Sequence, residues 1–485
     1  MIYSRFCAVM KLKTKIRLIL TLCLVMVLSL LLYFHLHQTE FQLSEENTIA
    51  RQQIQISRGN REAIIKQQSL NLAREVSNSN TNDLHSVKFK YNASLPRIVT
   101  LIGLKVSAKL RQLNTTRISN SQIKTRIQVL KRLVNDLNSQ IEMTNSPWHI
   151  AANWVTPRSI HPEEAPQIGT VLAAMTFKKI LFADVTSKGT QLKMVFDLEG
   201  GQKVIFKPMR FKRDFIVDGP PYAGADRHNG EIASFHLNRL LGFRRSPLVV
   251  GRKVNLRTEV MTTASKSLLE TFFKKDNNTC FYGKCFYCKR TDPACGEGDV
   301  LEGAVVLWLP ETFVLKKYRS PWQRTYKKNV PARWEVDPSF CAQVQKLSLY
   351  QSGSRLLDLI DASVFDYLIG NADRHHYEVF EDIKDSMVLL LDNGKSFGNP
   401  YWDELTILAP LYQCCRLRKT TYDRLLLFMG SLTESMRTLL MADPLAPILA
   451  DSHLEAFDRR LNTIISVIDV CVEEHGYKNF LIENG

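Results

Sequence analysis

One stretch near the N-terminus sets the conditions for everything after it. Leu18 to Phe34 are seventeen consecutive uncharged residues, interrupted in apolar character only by Thr21, Cys23, Ser29 and Tyr33. With Leu36 included, the run approaches the length of a bilayer span, for which about 20 residues are typical. Arg5, Lys11, Lys13, Lys15 and Arg17 precede it, whereas His35, His37 and Glu40 follow. This basic bias places residues 1–17 in the cytosol and everything after residue 37 in the lumen. A cleaved signal peptide has a shorter apolar core, about 7–15 residues, ending at small residues. No small-x-small site follows here, so the expectation is a type II, single-pass protein anchored by residues 18–36.

That orientation decides how the cysteines are read. Cys7 and Cys23 fall before or within the run, and Cys280, Cys285, Cys288, Cys295, Cys341, Cys414, Cys415 and Cys471 lie beyond it. An even set in an oxidising lumen indicates a disulfide framework whose pairing stays open. Zinc binding by Cys280-x4-Cys285-x2-Cys288-x6-Cys295 is the competing reading. Asn92, Asn114 and Asn277 are N-glycosylation acceptors on the same side. A composition of 45% hydrophobic and 23% charged residues excludes a wholly disordered chain. The net charge of +16 asks for an anionic partner: nucleotide, acidic glycan or membrane surface. A lumenal location removes nucleic acid.

Residues 37–115, rich in Gln, Asn, Ser and Thr, read as a lumenal stem. Within 116–144, Ile123, Ile127, Leu130, Leu133, Val134, Leu137 and Ile141 recur at helical spacing and predict an amphipathic helix. The ordered domain is expected from about residue 145. Strands are expected at Lys178–Asp184, Gln191–Asp197 and Lys203–Lys207, then a helix at Asn229–Leu241 and a strand at Leu248–Val254. From about Leu356 the pattern is mostly helical, with short strands around Val388–Leu391. Strands first and helices later is α+β order: a small sheet-rich lobe over 145–300, then a larger helical lobe over 301–485.

Three separated pieces carry chemistry. Lys207 ends the apolar strand Val204-Ile205-Phe206-Lys207, where an ammonium is costly without an anionic partner. A nucleotide phosphate would serve, aided by Glu231 early in the next helix or Asp226 just before it; Lys193 on the adjoining strand could reach the same group. An edge-strand lysine reaching solvent is the plain alternative. The second piece, Gly370-Asn371-Ala372-Asp373-Arg374-His375-His376-Tyr377-Glu378, follows a helix with an apolar face, and Asp373 is placed to orient and deprotonate a hydroxyl. Metal binding by His375 and His376 competes with that reading. The third, Met387 to Leu391 followed by Asp392-Asn393-Gly394, presents a carboxylate at a turn, although Asn-Gly is also the strongest hairpin signal. Asp373 and Asp392 stand 19 residues apart, close to the separation of a kinase's catalytic and metal-binding aspartates.

Two departures exclude an ordinary cytosolic kinase. No G-x-G-x-x-G loop precedes Lys207, and Glu378 stands where protein kinases place a metal-binding asparagine. The stretches FKPMR (Phe206–Arg210), DRHNGEIASFHL (Asp226–Leu237), NNTCFYGKCFYC (Asn277–Cys288), GNADRHHYE (Gly370–Glu378), LLLDNGKSFGNP (Leu389–Pro400) and ILAPLYQCC (Ile407–Cys415) resemble the secretory-pathway (Golgi) kinase family. That family includes the Golgi casein kinase and, more similar here, the glycosaminoglycan xylosylkinase. The resemblance spans roughly residues 150–475. It implies an atypical, two-lobed protein-kinase-like fold, a Golgi location, ATP as phosphate donor and manganese as metal.

Position by position, the resemblance implies that Asp373 is the catalytic acid/base and that Asp226 and Asp392 hold the metal. Gln191, Lys193, Lys207 and Glu378 would contact nucleotide, with Glu231 beside Lys207 and Val306-Leu307-Trp308-Leu309 as the adenine hinge. The implied disulfides are Cys280–Cys295, Cys285–Cys288, Cys341–Cys414 and Cys415–Cys471. Asp226, Lys395 to Gly398 and the 293–310 stretch favour the xylosylkinase, while Gly394 is shared with the casein kinase. The implied reaction is phosphorylation of the xylose 2-hydroxyl in the Gal-Xyl linkage region of proteoglycans. Alternatives are a Ser-x-Glu protein kinase or a pseudokinase partner, the latter expected to lose carboxylates that stand here. A homodimer, or a heterodimer with another member, is compatible. Trp308, Trp322, Trp334 and Trp402 would suit a sugar, and Lys316, Lys317, Arg319, Arg324, Lys327 and Lys328 an acidic peptide.

Overall fold

Alternating burial along consecutive short segments builds the principal sheet. The computed structural model describes residues 97–113, 119–138, 146–186, 189–220, 222–327 and 330–483. The expected anchor, the stem as far as residue 96, Asn92 and Asn114 therefore lie outside the described residues. Five strands, β1 (Ile180–Asp184), β2 (Met194–Leu198), β3 (Gln202–Pro208), β4 (Val249–Asn255) and β5 (Val300–Leu307), run in the order β1-β2-β3-β5-β4. All neighbours are antiparallel. Met194, Phe196, Leu198, Val204 and Phe206 are fully buried on one face, as the two-residue period of a strand requires. Gly200 and Gly201, at φ 94° and 84°, make the β2–β3 turn that a side chain would strain. The expected β2 starts late: Gln191 to Lys193 are loop, and the ladder begins at Met194. β5, read from sequence only as a hinge at its end, is the strand that joins β3 to β4.

Helices α1 (Arg97–Gln112), α2 (Asn120–Asn138), α3 (Pro147–Asn153) and α4 (Ile168–Phe177) precede the sheet. α5 (His228–Leu240) follows β3, and α6 (Arg355–Ile369) and α7 (Asp451–His475) belong to the helical part. α1 falls inside the segment expected as stem; it buries Val99 and Val106 and packs on α7. Its ion pairs, Lys105–Glu474 at 2.5 Å and Lys109–Glu473 at 2.8 Å, are largely exposed. Such pairs contribute roughly 0–1 kcal/mol, less than the about 1.5–3 kcal/mol of a buried valine, so apolar burial decides the docking. α2 is the expected amphipathic helix: Leu133 is buried and Val129, Leu130, Val134 and Leu137 pack on the core, while Ile127 is exposed and Ile141 lies outside the described residues. No helix among the described residues is long and apolar enough to cross a membrane.

The described cysteines join as Cys280–Cys295, Cys285–Cys288, Cys341–Cys414 and Cys415–Cys471, with Cα separations of 4.0, 4.9, 5.3 and 5.2 Å. That removes the zinc alternative, because a disulfide sulfur is no thiolate ligand. The first pair staples a three-stranded sheet whose hairpin turns at Asp276 and exposed Asn277, both left-handed.

α6 is buried from Leu356 to Ile369 and carries Asp358 and Asp361 at zero exposure. Buried carboxylates require partners. Asp358 meets Arg158 at 2.8 Å, Arg418 at 2.7 Å and Arg245 at 3.2 Å. Asp361 meets Arg245 at 2.7 Å, Arg418 and the Thr421 hydroxyl. This cluster fastens the segments around residues 158 and 245 to α6. Burial raises the Asp358 pKa, but Arg245, Arg158 and Arg418 outweigh it and hold the value to about 2. Its stabilisation is therefore complete above the ordinary carboxylate range and is lost as pH falls towards about 2. Asp361→Ala should leave the buried Arg245 and Arg418 only Asp358 to share and destabilise the protein by about 3–5 kcal/mol in denaturant melts of the full chain. A loss within about 1 kcal/mol of zero would show that the cluster is not what fastens these segments.

Candidate functional site

Lys207, next to last in β3, projects from the face shared with its cross-strand partner Ala304 and with the Ile205–Val306 pair. It is 6% exposed, so its ammonium needs negative partners, and three converge on it. Nζ donates to Glu231 Oε1 at 2.5 Å, Asp392 Oδ1 at 2.6 Å and Asp226 Oδ2 at 3.1 Å. Glu231 sits in the first turn of α5 and Asp226 just before it. Asp392 follows the buried run Met387–Leu390 and keeps its side chain 69% exposed, open to the cleft. Two glycines permit this approach. A Cβ on Gly230 would lie 2.7 Å from Ser396 Oγ, and one on Gly394 would lie 2.7 Å from Asp226 Cβ and Cγ.

One ammonium facing three carboxylates leaves the cluster electron-rich. Burial opposes the Lys207 charge, but Asp392, Glu231 and Asp226 more than offset this and raise its pKa well above the ordinary value. Lys207 lowers the Asp392 pKa. Burial, reinforced by the Asp392 charge and opposed by Lys207, raises Asp226 and Glu231. Lys193 lies in the same field; burial and the Lys207 charge lower its pKa. Gln191 is half-buried in the loop leading to Lys193. Carboxylate oxygens of Asp226, Glu231 and Asp392 lie within 4.8 Å of one another. Hard oxygen donors of this number and charge fit a divalent cation once Lys207 is drawn towards an anionic ligand.

The loop after α6 begins at Gly370, whose φ of 68° ends the helix. Arg374 then acts as a latch: Nε and Nη2 meet Asp366 at 2.5 and 2.8 Å, Nη1 donates to the Leu391 carbonyl at 2.7 Å, and Nη2 to Asn393 Oδ1 at 2.7 Å. It fixes the Asp373 loop to the Asp392 loop. No hairpin forms at Asn393-Gly394. Residues 388–391 make one bridge, Glu378 to Leu389, and Asp392 is held at φ 58°. Glu378 thereby comes near Asp392; burial raises its pKa, and Asp392 adds to the rise against Lys317 and Arg374.

β6 (Leu315–Arg319) pairs with β7 (His376–Phe380) beside this loop. The Asp373 backbone N–H donates to Asn371 Oδ1 at 3.0 Å. Its carboxylate accepts from Tyr326 Oη at 2.5 Å and lies 3.5 Å from His375 Nδ1. That contact raises the His375 pKa despite partial burial. Among the described residues, His375 and His376 join no group of metal-ligand side chains. A small hollow of about 60 Å³ adjoins Asp373, lined among others by Trp322, Trp334, Tyr326, Tyr377, Arg324 and His375. Lys316, Lys317 and Arg319 are exposed on β6 and do not line it.

In the segment expected as the adenine hinge, successive side chains alternate between the two faces of the sheet. Val306 faces the Lys207 side, but Leu307 pairs with Val204 on the opposite, buried face. Leu307, Trp308 and Leu309 line a separate recess of about 300 Å³ with Ala151, Val155 and Leu248. The sequence reading missed the Arg374 latch and Tyr326. Arg374 lay inside the quoted loop without a role, and nothing in its spacing signals Tyr326, 47 residues before Asp373.

Residues 146–480 match the family described as Golgi casein kinase, C-terminal, Fam20. The glycosaminoglycan xylosylkinase of Homo sapiens is 57% identical over 341 residues, 70% of this chain and 83% of that protein. A solved structure of hydra Fam20 with sugar is 48% identical, with a TM-score of 0.69, covering 70% of this chain and 99% of that one. The Golgi casein kinase with Mn/ADP bound is 34% identical, with a TM-score of 0.67, covering 84% and 97%. The family match spans the Lys207 cluster and the Asp373 loop, and with these likenesses the chain belongs to the Fam20 kinase family.

Proposed function

We propose that this chain is an ATP- and manganese-dependent kinase that phosphorylates the 2-hydroxyl of xylose in the Gal-Xyl linkage region of proteoglycans. It would work in the Golgi lumen, from a type II anchor at residues 18–36 and a stem reaching to the docked helix α1, alone or paired with a family member. The observation that carries the acceptor reading is the wall beside Asp373. Nearly buried Trp322, Trp334 and Tyr377 and the more exposed Tyr326 border the hollow there, together with Arg324, Arg374 and His375. Hydrogen-bond donors beside an aromatic face suit a neutral sugar, whereas an acidic peptide asks for clustered Lys and Arg. The 57% identity to a xylosylkinase supports the same acceptor.

In this reading Lys207 exchanges its carboxylate partners for nucleotide phosphates, with Glu231 keeping the ammonium oriented. Lys193 and Gln191 approach the phosphates from the β1–β2 loop, Glu378 completes the nucleotide side, and Val306 lies under the base. Asp226 and Asp392 would hold manganese, which would neutralise phosphate charge during transfer. Asp373 accepts the proton of the attacking hydroxyl as its oxygen bonds to the γ-phosphorus and ADP departs. The exposed asparagine of the Asn277 sequon is free to carry glycan.

The purified full chain, given labelled ATP and manganese, should label a Gal-Xyl acceptor in preference to casein. Label on casein alone would transfer the assignment to a Ser-x-Glu protein kinase. Asp373→Ala should reduce transfer by about 10²–10⁴-fold with the thermal midpoint preserved; activity within about tenfold of wild type contradicts the base assignment. Asp392→Asn should remove the manganese-dependent rise in thermal midpoint caused by ATP, because an amide holds a hard cation poorly. An undiminished rise would place the ion elsewhere.

A further inference from the structure

A general base must stand within about 2.6–3.2 Å of the hydroxyl whose proton it takes. On Asp373 Oδ1 that place is filled from within the chain, with the side chain as a whole 25% exposed. Tyr326 Oη donates to Asp373 Oδ1 at 2.5 Å and lies 3.1 Å from His375 Nδ1. Its ring stands edge-on to His375 at 5.7 Å and to Tyr222 at 4.8 Å. The flanking chain is anchored: Arg324 donates to the Thr406 hydroxyl at 2.6 Å, Trp322 Nε1 to Gln413 at 2.7 Å, and the Thr325 hydroxyl to the Val330 carbonyl at 2.5 Å. Tyr326 itself has a φ of 54°, a left-handed conformation that a bulky residue rarely adopts. Strain at one residue of an anchored segment, aiming a hydroxyl at the base, is the pattern of a built functional contact.

We propose that Tyr326 holds the acceptor's seat: its hydroxyl caps Asp373 while the cleft is empty and gives way only to a sugar hydroxyl. The inference rests on Asp373 being the base. With the carboxylate uncovered, water could use it as an acceptor does. Water's oxygen would bond to the γ-phosphorus, its proton would pass to Asp373, and the bond to the β-phosphate oxygen would break, releasing ADP and inorganic phosphate. Tyr326 denies water that carboxylate oxygen. A sugar held in the cleft through contacts beyond its reacting hydroxyl has binding energy with which to displace the phenol, and water has none. Burial and the Asp373 carboxylate raise the phenol pKa, which keeps it a donor to Asp373 instead of a phenolate repelled by it. Tyr326 would thus set the ratio of transfer to hydrolysis, a specificity role that the family motifs of the loop do not carry.

The test compares full-chain wild type, Tyr326→Phe, Tyr326→Ala, Asp373→Asn and the Tyr326→Phe/Asp373→Asn double variant, with manganese and ATP. ADP release is measured without acceptor, and transfer and KM with Gal-Xyl. Tyr326→Phe keeps the ring between Tyr222 and His375 but loses the bond to the carboxylate. Acceptor-free ADP release should rise on the order of tenfold, the scale of one hydrogen bond to a charged group, and the KM for Gal-Xyl should fall. Tyr326→Ala should raise ADP release in the same direction, and Asp373→Asn should silence it in both backgrounds. ADP release that is unchanged or lower in the Tyr326 variants, with Asp373→Asn still inactive, overturns the role of Tyr326 alone. Transfer surviving in Asp373→Asn overturns the base on which it rests. Phosphate found on Tyr326 by mass spectrometry of the wild type would make it an acceptor and would equally overturn the proposal.

Discussion

The Lys207 ammonium, buried among Asp226, Glu231 and Asp392, is the constraint around which the sheet-rich and helical parts are arranged. It ties β3 to the start of α5 and to the loop after Leu391, three pieces separated by as many as 185 residues. A charge so placed is stable only if each carboxylate arrives with little slack. The glycines at 230 and 394 permit that closeness, and the Arg374 latch supplies it from the other side. The Asp373 loop and the Asp392 loop therefore cannot shift independently, and the geometry of any transfer step depends on both.

A second buried ionic layer does the mechanical work. Asp358 and Asp361 on α6 gather Arg158, Arg245 and Arg418, so the helix preceding the Asp373 loop is a rigid support. The two clusters differ in character. Around Asp358 and Asp361 three guanidinium groups surround two fully buried carboxylates, so every carboxylate is paired, which suits structure. Around Lys207 the carboxylates outnumber the ammonium and one of them faces the open cleft, which suits a site that exchanges ligands.

Much of this was legible in the residues, and the limits have physical causes. The apolar strand ending in Lys207, the glycine that ends α6 and the carboxylates 19 residues apart announce themselves through local pattern. α1 is itself apolar-rich, but it lies between Gln-, Asn- and Ser-rich segments whose composition masked it, and its main partner α7 is more than 300 residues away. The faces of Val306 to Leu309 were not legible, because a run of four apolar residues hides which face each one takes until strand register is known. Tyr326 and the arginine partners of Asp358 are contacts across long separations, which no local pattern encodes. The disulfide pairing came from resemblance, since spacing alone leaves it undetermined.

The Lys207 cluster, as the proposed nucleotide and metal site, is open to one direct measurement. Crystals of the protein grown with manganese and ADP would test it by anomalous scattering. A manganese peak in direct contact with Asp226 and Asp392, with Lys207 Nζ moved onto phosphate oxygens, is the expected result. A peak away from these carboxylates, with Lys207 still bound to all three, would contradict it.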